Sequence, residues 1–300
     1  MKTPVYVAEY MIGIIIAIIV AILWSLGEVD YAKVAKKYNN INVYLYTFFL
    51  RSIIYLGVVF IFRRGMFFTF NSNVLKAMLP IIFFDLFASL VVNVAEYNGK
   101  LSITSPIMAS YPVVDIILGI ILLKEKTNLM DLVFVLLISI SIVLLAMNPT
   151  KDKKAPNPTK GIVFSILYML LVALSAYMEK DAYQGVYTIF DLYYYKGAIY
   201  TLASLFFFFN IMITPIKIKK PTKDILKGCG LTPIGNVCYS LALSISNMSI
   251  VAPISSLYTV ITHYISRKYL KEKINKKELI CIYIILISTL GLIIHSLFGN

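Results

Sequence analysis

The sequence predicts an all-α integral membrane fold of ten transmembrane helices arranged as two inverted five-helix repeats, and three observations carry that prediction. The 300 residues are 59% hydrophobic and only 14% charged, with a mean hydropathy of +0.81. A soluble domain of this length does not need so much apolar surface. The charges are confined to short interruptions between apolar runs, and about 20 apolar residues cross a bilayer as a helix. Helix is required because lipid offers the backbone no hydrogen-bond partner. Finally, Ser102–Leu145 recurs without a gap as Ser249–Leu292, 147 residues later, with 16 of 44 positions identical. Chance similarity between apolar segments would not also align Pro106 with Pro253, Tyr111 with Tyr258, and Lys124-Glu125-Lys126 with Lys271-Glu272-Lys273. The chain therefore reads as two homologous halves.

Taken in order, the spans are residues 10–29, 43–62, 79–97, 103–123 and 129–147, then 161–180, 190–213, 228–245, 250–270 and 279–297. The halves are residues 1–147 and 161–300, separated by a polar linker, 148–160, with three prolines and four lysines. Five spans are an odd number, so the second half enters the membrane from the side opposite to the first. Inverted repeats of this kind build many secondary transporters, with the substrate site near the midplane at the repeat interface. Weaker similarity extends the duplication: Gly13–Leu26 resembles Gly161–Leu174, and Arg51 falls opposite Lys196. Pro106 and Pro253 are expected in the first turn of their helices, where proline is tolerated.

The formal net charge is +13. Its Lys and Arg residues lie in the gaps between apolar runs, where lipid headgroups rather than nucleic acid are the natural partner. Cys229, Cys238 and Cys281 show no metal-ligand spacing and read as small apolar residues. The first apolar run is too long for a signal-peptide core and reads as a retained span. Orientation stays open: the positive-inside rule, taken alone, puts both termini outside.

Ionisable side chains at lipid depth are costly, so each is a candidate. Asp115 lies near the middle of the fourth span, with Thr262 at the equivalent place in the ninth. A carboxyl there could bind a cationic solute, carry a proton, or form a structural ion pair with Arg51. His263 could cycle protons near neutral pH. Arg51 and Lys196, at matching places in the two halves, would suit a carboxylate or phosphate, although Lys196 could instead snorkel. Glu28, Asp30, Glu96, Glu179 and Asp181 close their spans and read as interfacial, while Asp85 lies a third of the way into its span. Tyr111 and Tyr258 are symmetry-related and about one turn from the mid-depth polar positions. With Trp24 and the run Tyr193–Tyr195 they could form aromatic walls that favour cationic or amphipathic solutes. The candidate solute-binding set is thus Trp24, Arg51, Tyr111, Asp115, Lys196, Tyr258 and His263, with Asp115 and His263 as candidate proton carriers. No catalytic cluster, metal site or cofactor is expected beyond a coupling proton. No Gly-x-x-x-x-Gly-Lys-Ser/Thr loop is present, which argues against direct ATP drive.

These features resemble the drug/metabolite transporter superfamily and its EamA-type ten-span carriers. The resemblance rests on Pro106 with Leu123-Lys124-Glu125, on Pro253 with Leu270-Lys271-Glu272, and on Leu23-Trp24-Ser25-Leu26-Gly27 in the first span. Ser139 and Ser141 stand where the family's fifth helix usually carries glycine. The resemblance implies a monomeric, multi-pass carrier of the plasma membrane, both termini inside, whose partners are lipid and a small-molecule solute. It also implies that helices one to four and six to nine line a central cavity. Amino acids and related metabolites, exported by alternating access, are the expected cargo; quaternary amines and phosphorylated or nucleotide sugars are the rivals, and a membrane enzyme or receptor the alternative outside the class.

Overall fold

The computed structural model describes residues 4–38, 40–65, 70–99, 101–124, 127–147, 156–185, 187–218, 220–270 and 276–298. Among these the regular elements are helices: α1 (Pro4–Lys37), α2 (Asn40–Phe62), α3 (Ser72–Asn98), α4 (Leu101–Met108), α5 (Tyr111–Ile121), α6 (Leu129–Met147), α7 (Pro158–Gln184), α8 (Ile189–Ile213), α9 (Lys223–Ile245), α10 (Met248–Ser255), α11 (Tyr258–Leu270) and α12 (Lys276–Phe298). Most of the 148–160 linker, Glu125, and Lys271-Glu272-Lys273 lie outside the described residues.

Local chemistry sets the helix starts. Asn71 accepts from the Asn73 and Val74 amides ahead of α3. Asn157 caps α7 beside Pro158, Thr188 and Asp191 form a capping box at α8, and Thr222 caps α9. Each satisfies amide groups that the first helical turn leaves without partners.

Twelve helices replace the ten predicted because the fourth and ninth spans each break in two, as α4–α5 and α10–α11. The breaks fall at residues 109–110 and 256–257. Pro112 has no N–H to offer the preceding turn; in the second half the Thr259 amide turns instead to Ser256 O at 3.1 Å. Serine hydroxyls serve the freed carbonyls, Ser110 Oγ donating to Ile107 O and Ser256 Oγ to Pro253 O, both at 2.6 Å. Because α4 and α10 begin at Leu101 and Met248, Pro106 and Pro253 stand in the second helical turn, just before the breaks, rather than in the first.

Among the described residues, seven helical stretches are long and apolar enough to cross a membrane, including Thr104–Ile121 and Met248–Ile265 across the breaks, and α6 and α12 add the shorter apolar stretches Leu129–Ser141 and Leu279–Gly291. The predicted eighth span, in α9, is absent from the seven because its residues are too polar. It carries Gly228, Gly230, Thr232, Asn236 and Ser240, and the next section shows what they face.

The packing exchanges the two halves. Helix α1 lies against α9 as α3 lies against α7, while α2 meets its counterpart α8 and α6 its counterpart α12. Glycine permits a close crossing of α9 and α1: a Cβ on Gly228 would stand 2.6 Å from Tyr31 N and 2.8 Å from Tyr31 Cα. The outward faces are apolar, with Ile15, Ile19 and Ile22 of α1, Phe206 and Phe209 of α8, and Ile280 and Ile287 of α12 all exposed. A belt of that extent on a soluble monomer would be anomalous, whereas lipid is its natural solvent.

Candidate functional site

Between the halves lies a cavity of about 110 Å³, taken as the space open to the centre of a water molecule. It is roomy enough for several waters or for one small solute. Its walls come from α1, α2, α3, α7, α8 and α9 together with Met108, Tyr111 and Tyr258 from the rims of the two breaks. Helix α9 contributes Gly228, Cys229, Thr232, Asn236, Tyr239 and Ser240, so its low hydropathy reflects the cavity it faces.

One wall is ionic. Lys196 Nζ lies 3.3 Å from Asp85 Oδ2 and 3.7 Å from Glu179 Oε2, and Arg51 Nη1 lies 3.9 Å from the same Asp85 oxygen. Tyr200 donates to Asp85 at 2.8 Å and accepts from Arg51 at 3.1 Å; Arg51 also donates to Ser89, and Tyr183 donates to Glu179 at 3.0 Å. Two cations therefore share two carboxylates, a balance that buried charges require.

A second group of lining residues is aromatic. Around Trp24 stand Tyr239, Tyr258 and Tyr111, with ring centroids 5.2, 5.8 and 6.4 Å away. Trp24 Nε1 donates to Asn236 Oδ1 at 3.0 Å, and Asn236 Nδ2 donates to Tyr55 at 3.1 Å. Tyr193 donates to Asn236 O at 2.8 Å, which ties the aromatic wall to the ionic one. Gly235 leaves space for the indole: a Cβ there would come within 2.6 Å of Trp24 Nε1. Tyr111 also shares a 2.7 Å hydrogen bond with Ser255, joining the break of one half to that of the other.

A third feature is a pair of carboxyl groups. Glu28 Oε2 accepts from Thr262 Oγ1 at 2.8 Å and from Ser105 Oγ at 2.9 Å. Glu96 is only 1% exposed, and neither of its oxygens has a hydrogen-bond partner. Both glutamates line the cavity.

Of the sequence candidates, Trp24, Arg51, Tyr111, Lys196 and Tyr258 line the cavity. Lys196 is buried, with 3% side-chain exposure, and points to carboxylates rather than to a headgroup layer. Asp115 and His263 are buried but lie outside the lining. Asp115 accepts from Tyr239 at 3.4 Å, one side chain behind the wall, while His263 follows Thr262, whose hydroxyl reaches Glu28. The carboxylate beside Arg51 is Asp85. Of the tyrosine run only Tyr193 lines the cavity; Tyr195 is bonded to the Asn71 backbone.

The interfacial reading holds for Asp181, which is exposed, and for Asp30, which pairs with Lys33 at 2.6 Å. It fails for Glu28, Glu96 and Glu179 because the helices outrun the apolar windows. Helix α1 continues to Lys37, more than two turns past Glu28. Asn236, Tyr239 and Tyr168 were missed as well; for the first two, polar and aromatic residues at helical spacing along α9 were the available signal, whereas Tyr168 lies in the apolar helix α7, where no such signal marks it.

The comparisons with known proteins agree with this architecture. A similar solved structure, titled only "Crystal structure of protein", is 12% identical over 92% of this chain and 96% of its own, with a TM-score of 0.69, and so shares the fold. No curated protein matches the sequence. The sequence model of the EamA-like transporter family matches twice, over residues 11–147 and 159–294, and the chain belongs to that family.

Proposed function

We propose that the protein is a secondary transporter that exports small metabolites carrying both an ammonium and a carboxylate group, amino acids and their relatives, by alternating access in the plasma membrane. The observation that carries this reading is the division of one cavity into a cationic wall, Arg51 and Lys196, and an aromatic wall with adjacent carboxyl groups, Trp24, Tyr111, Tyr239 and Tyr258 beside Glu28. A zwitterion spans such a site with its carboxylate towards the guanidinium and its ammonium over the rings.

The exchange-related packing of the halves supports an inverted repeat, and the broken helices at their interface support a solute site there. The rocking motion would be resisted or released where Tyr111 meets Ser255. Quaternary amines form a second reading, favoured by the four-ring enclosure around Trp24. Sugar phosphates are less well served, since they carry no ammonium group to set against Glu28 and Glu96, which line the same cavity.

The test is exchange of radiolabelled L-leucine, L-lysine, tetramethylammonium and glucose 6-phosphate by purified protein in liposomes. Saturable exchange of amino acids, reduced at least tenfold by Trp24→Ala and by Lys196→Met, is the expected result. Exchange confined to the sugar phosphate would overturn the assignment of solute class.

A further inference from the structure

The ionic wall is charge-balanced, but two further carboxyls that line the cavity, Glu28 and Glu96, are not. Among the described residues, no lysine, arginine or histidine forms an ion pair with Glu28 or Glu96. Glu28 has two hydroxyl donors, whereas Glu96, which also lines the cavity, is buried with both oxygens unsatisfied. A carboxylate left so would bear a large desolvation cost with nothing to offset it. It calls for a proton or for a cation from outside the chain. The surrounding groups do not supply one: Tyr31 of α1, Tyr168 of α7, Cys229 of α9 and Tyr258 of α11 share the space, Arg51 of α2 is committed to Asp85, and Lys36 of α1 acts on Glu96 only through its field.

Resting on the transport reading above, we propose that Glu28 and Glu96 form a coupling site occupied either by a proton or by the ammonium group of the solute. Two like charges in one cavity repel, so the pair holds one positive partner readily and two poorly. Loading an ammonium group displaces the proton to one side, and solute release on the other side lets a proton re-enter. The cycle exchanges one proton for one solute cation, with no covalent step. Asp115 and His263, which stand behind the lining, carry no proton in this scheme.

Competition makes the pair testable without any variant. In detergent-solubilised wild-type protein, L-lysine and methylammonium should bind more weakly as pH falls, by up to tenfold per pH unit, because binding and protonation exclude each other. Affinity independent of pH between 5 and 9 would overturn the proposal. In liposomes with an internal pH dye, an L-lysine gradient should drive proton movement in wild type and in Asp115→Asn. Glu96→Gln should lose the pH dependence of L-lysine binding together with the solute-driven proton movement. Proton movement at the wild-type rate in Glu96→Gln would place coupling elsewhere. Loss of all solute binding and flux in wild type would instead sink the transport reading.

Discussion

Asp85→Asn removes one negative charge from a buried cluster that holds two of each sign. Asp85 lies 3.3 Å from Lys196 Nζ and 3.9 Å from Arg51 Nη1, and accepts a 2.8 Å bond from Tyr200. The asparagine keeps an acceptor for Tyr200 but leaves Lys196 with Glu179 and takes away the one carboxylate that Arg51 pairs with among the described residues. Breaking a buried pair by removing one partner costs about 3–5 kcal/mol. Unfolding entropy of about 2.1 cal/mol/K per residue, taken over 300 residues, gives about 1.6 °C per kcal/mol. The expected fall in melting midpoint is therefore about 5–8 °C, read by intrinsic fluorescence or by size-exclusion survival after heating. The double variant Arg51→Gln/Asp85→Asn restores balance, leaving Lys196 with Glu179 at 3.7 Å, and should recover at least half of the loss. An unchanged midpoint in Asp85→Asn, or a double variant less stable than either single one, would refute the charge-balance argument.

Three other substitutions probe the frame around the cavity. Gly228→Ala drives a methyl group into the Tyr31 backbone, 2.6 Å from its nitrogen; since backbone cannot yield as a side chain can, stability should fall by about 1–3 kcal/mol in thermal melts. Lys180→Met takes the ammonium away from Leu243 O at 2.7 Å and Ser246 O at 2.8 Å, leaving carbonyls at the C-terminal end of α9 unserved. A loss of about 1–3 kcal/mol per unsatisfied group should appear as a lower midpoint, with faster amide exchange over the last turn of α9. Tyr111→Phe deletes the 2.7 Å bond to Ser255; stability should fall by about 0.5–1.5 kcal/mol, and the rate of solute exchange should change more than solute affinity does.

Much of the fold was legible in the sequence because a duplicated segment constrains itself twice. Pro106 over Pro253 and Tyr111 over Tyr258 marked the repeat, and the matched cations Arg51 and Lys196 do converge, on Asp85. The helix breaks were not legible: Pro112 gives warning of the first, but Thr259 stands at its counterpart in the second, and only the packing of α5 against α10 shows the two breaks meeting. Glu28 and Glu96 read as interfacial because an apolar window ends at the first charge, whereas a helix ends where its backbone bonds run out. Helix α9 was legible as the eighth span, but nothing in the sequence singled out its polar residues as cavity lining. Asp115 drew attention by its depth in the sequence, and depth alone does not tell a cavity wall from the layer behind it.

Trp24 is the chain's single tryptophan, and it lies in the cavity with Asn236 on its Nε1. Its fluorescence therefore reports on the proposed solute site without a label. The most direct test is a titration of purified wild-type protein with L-lysine, L-leucine and glucose 6-phosphate while this emission is followed. The account predicts a saturable shift in intensity or wavelength with the amino acids, weakened by Lys196→Met. Amino-acid transport by the same preparation with no change in Trp24 emission at saturating solute would contradict it.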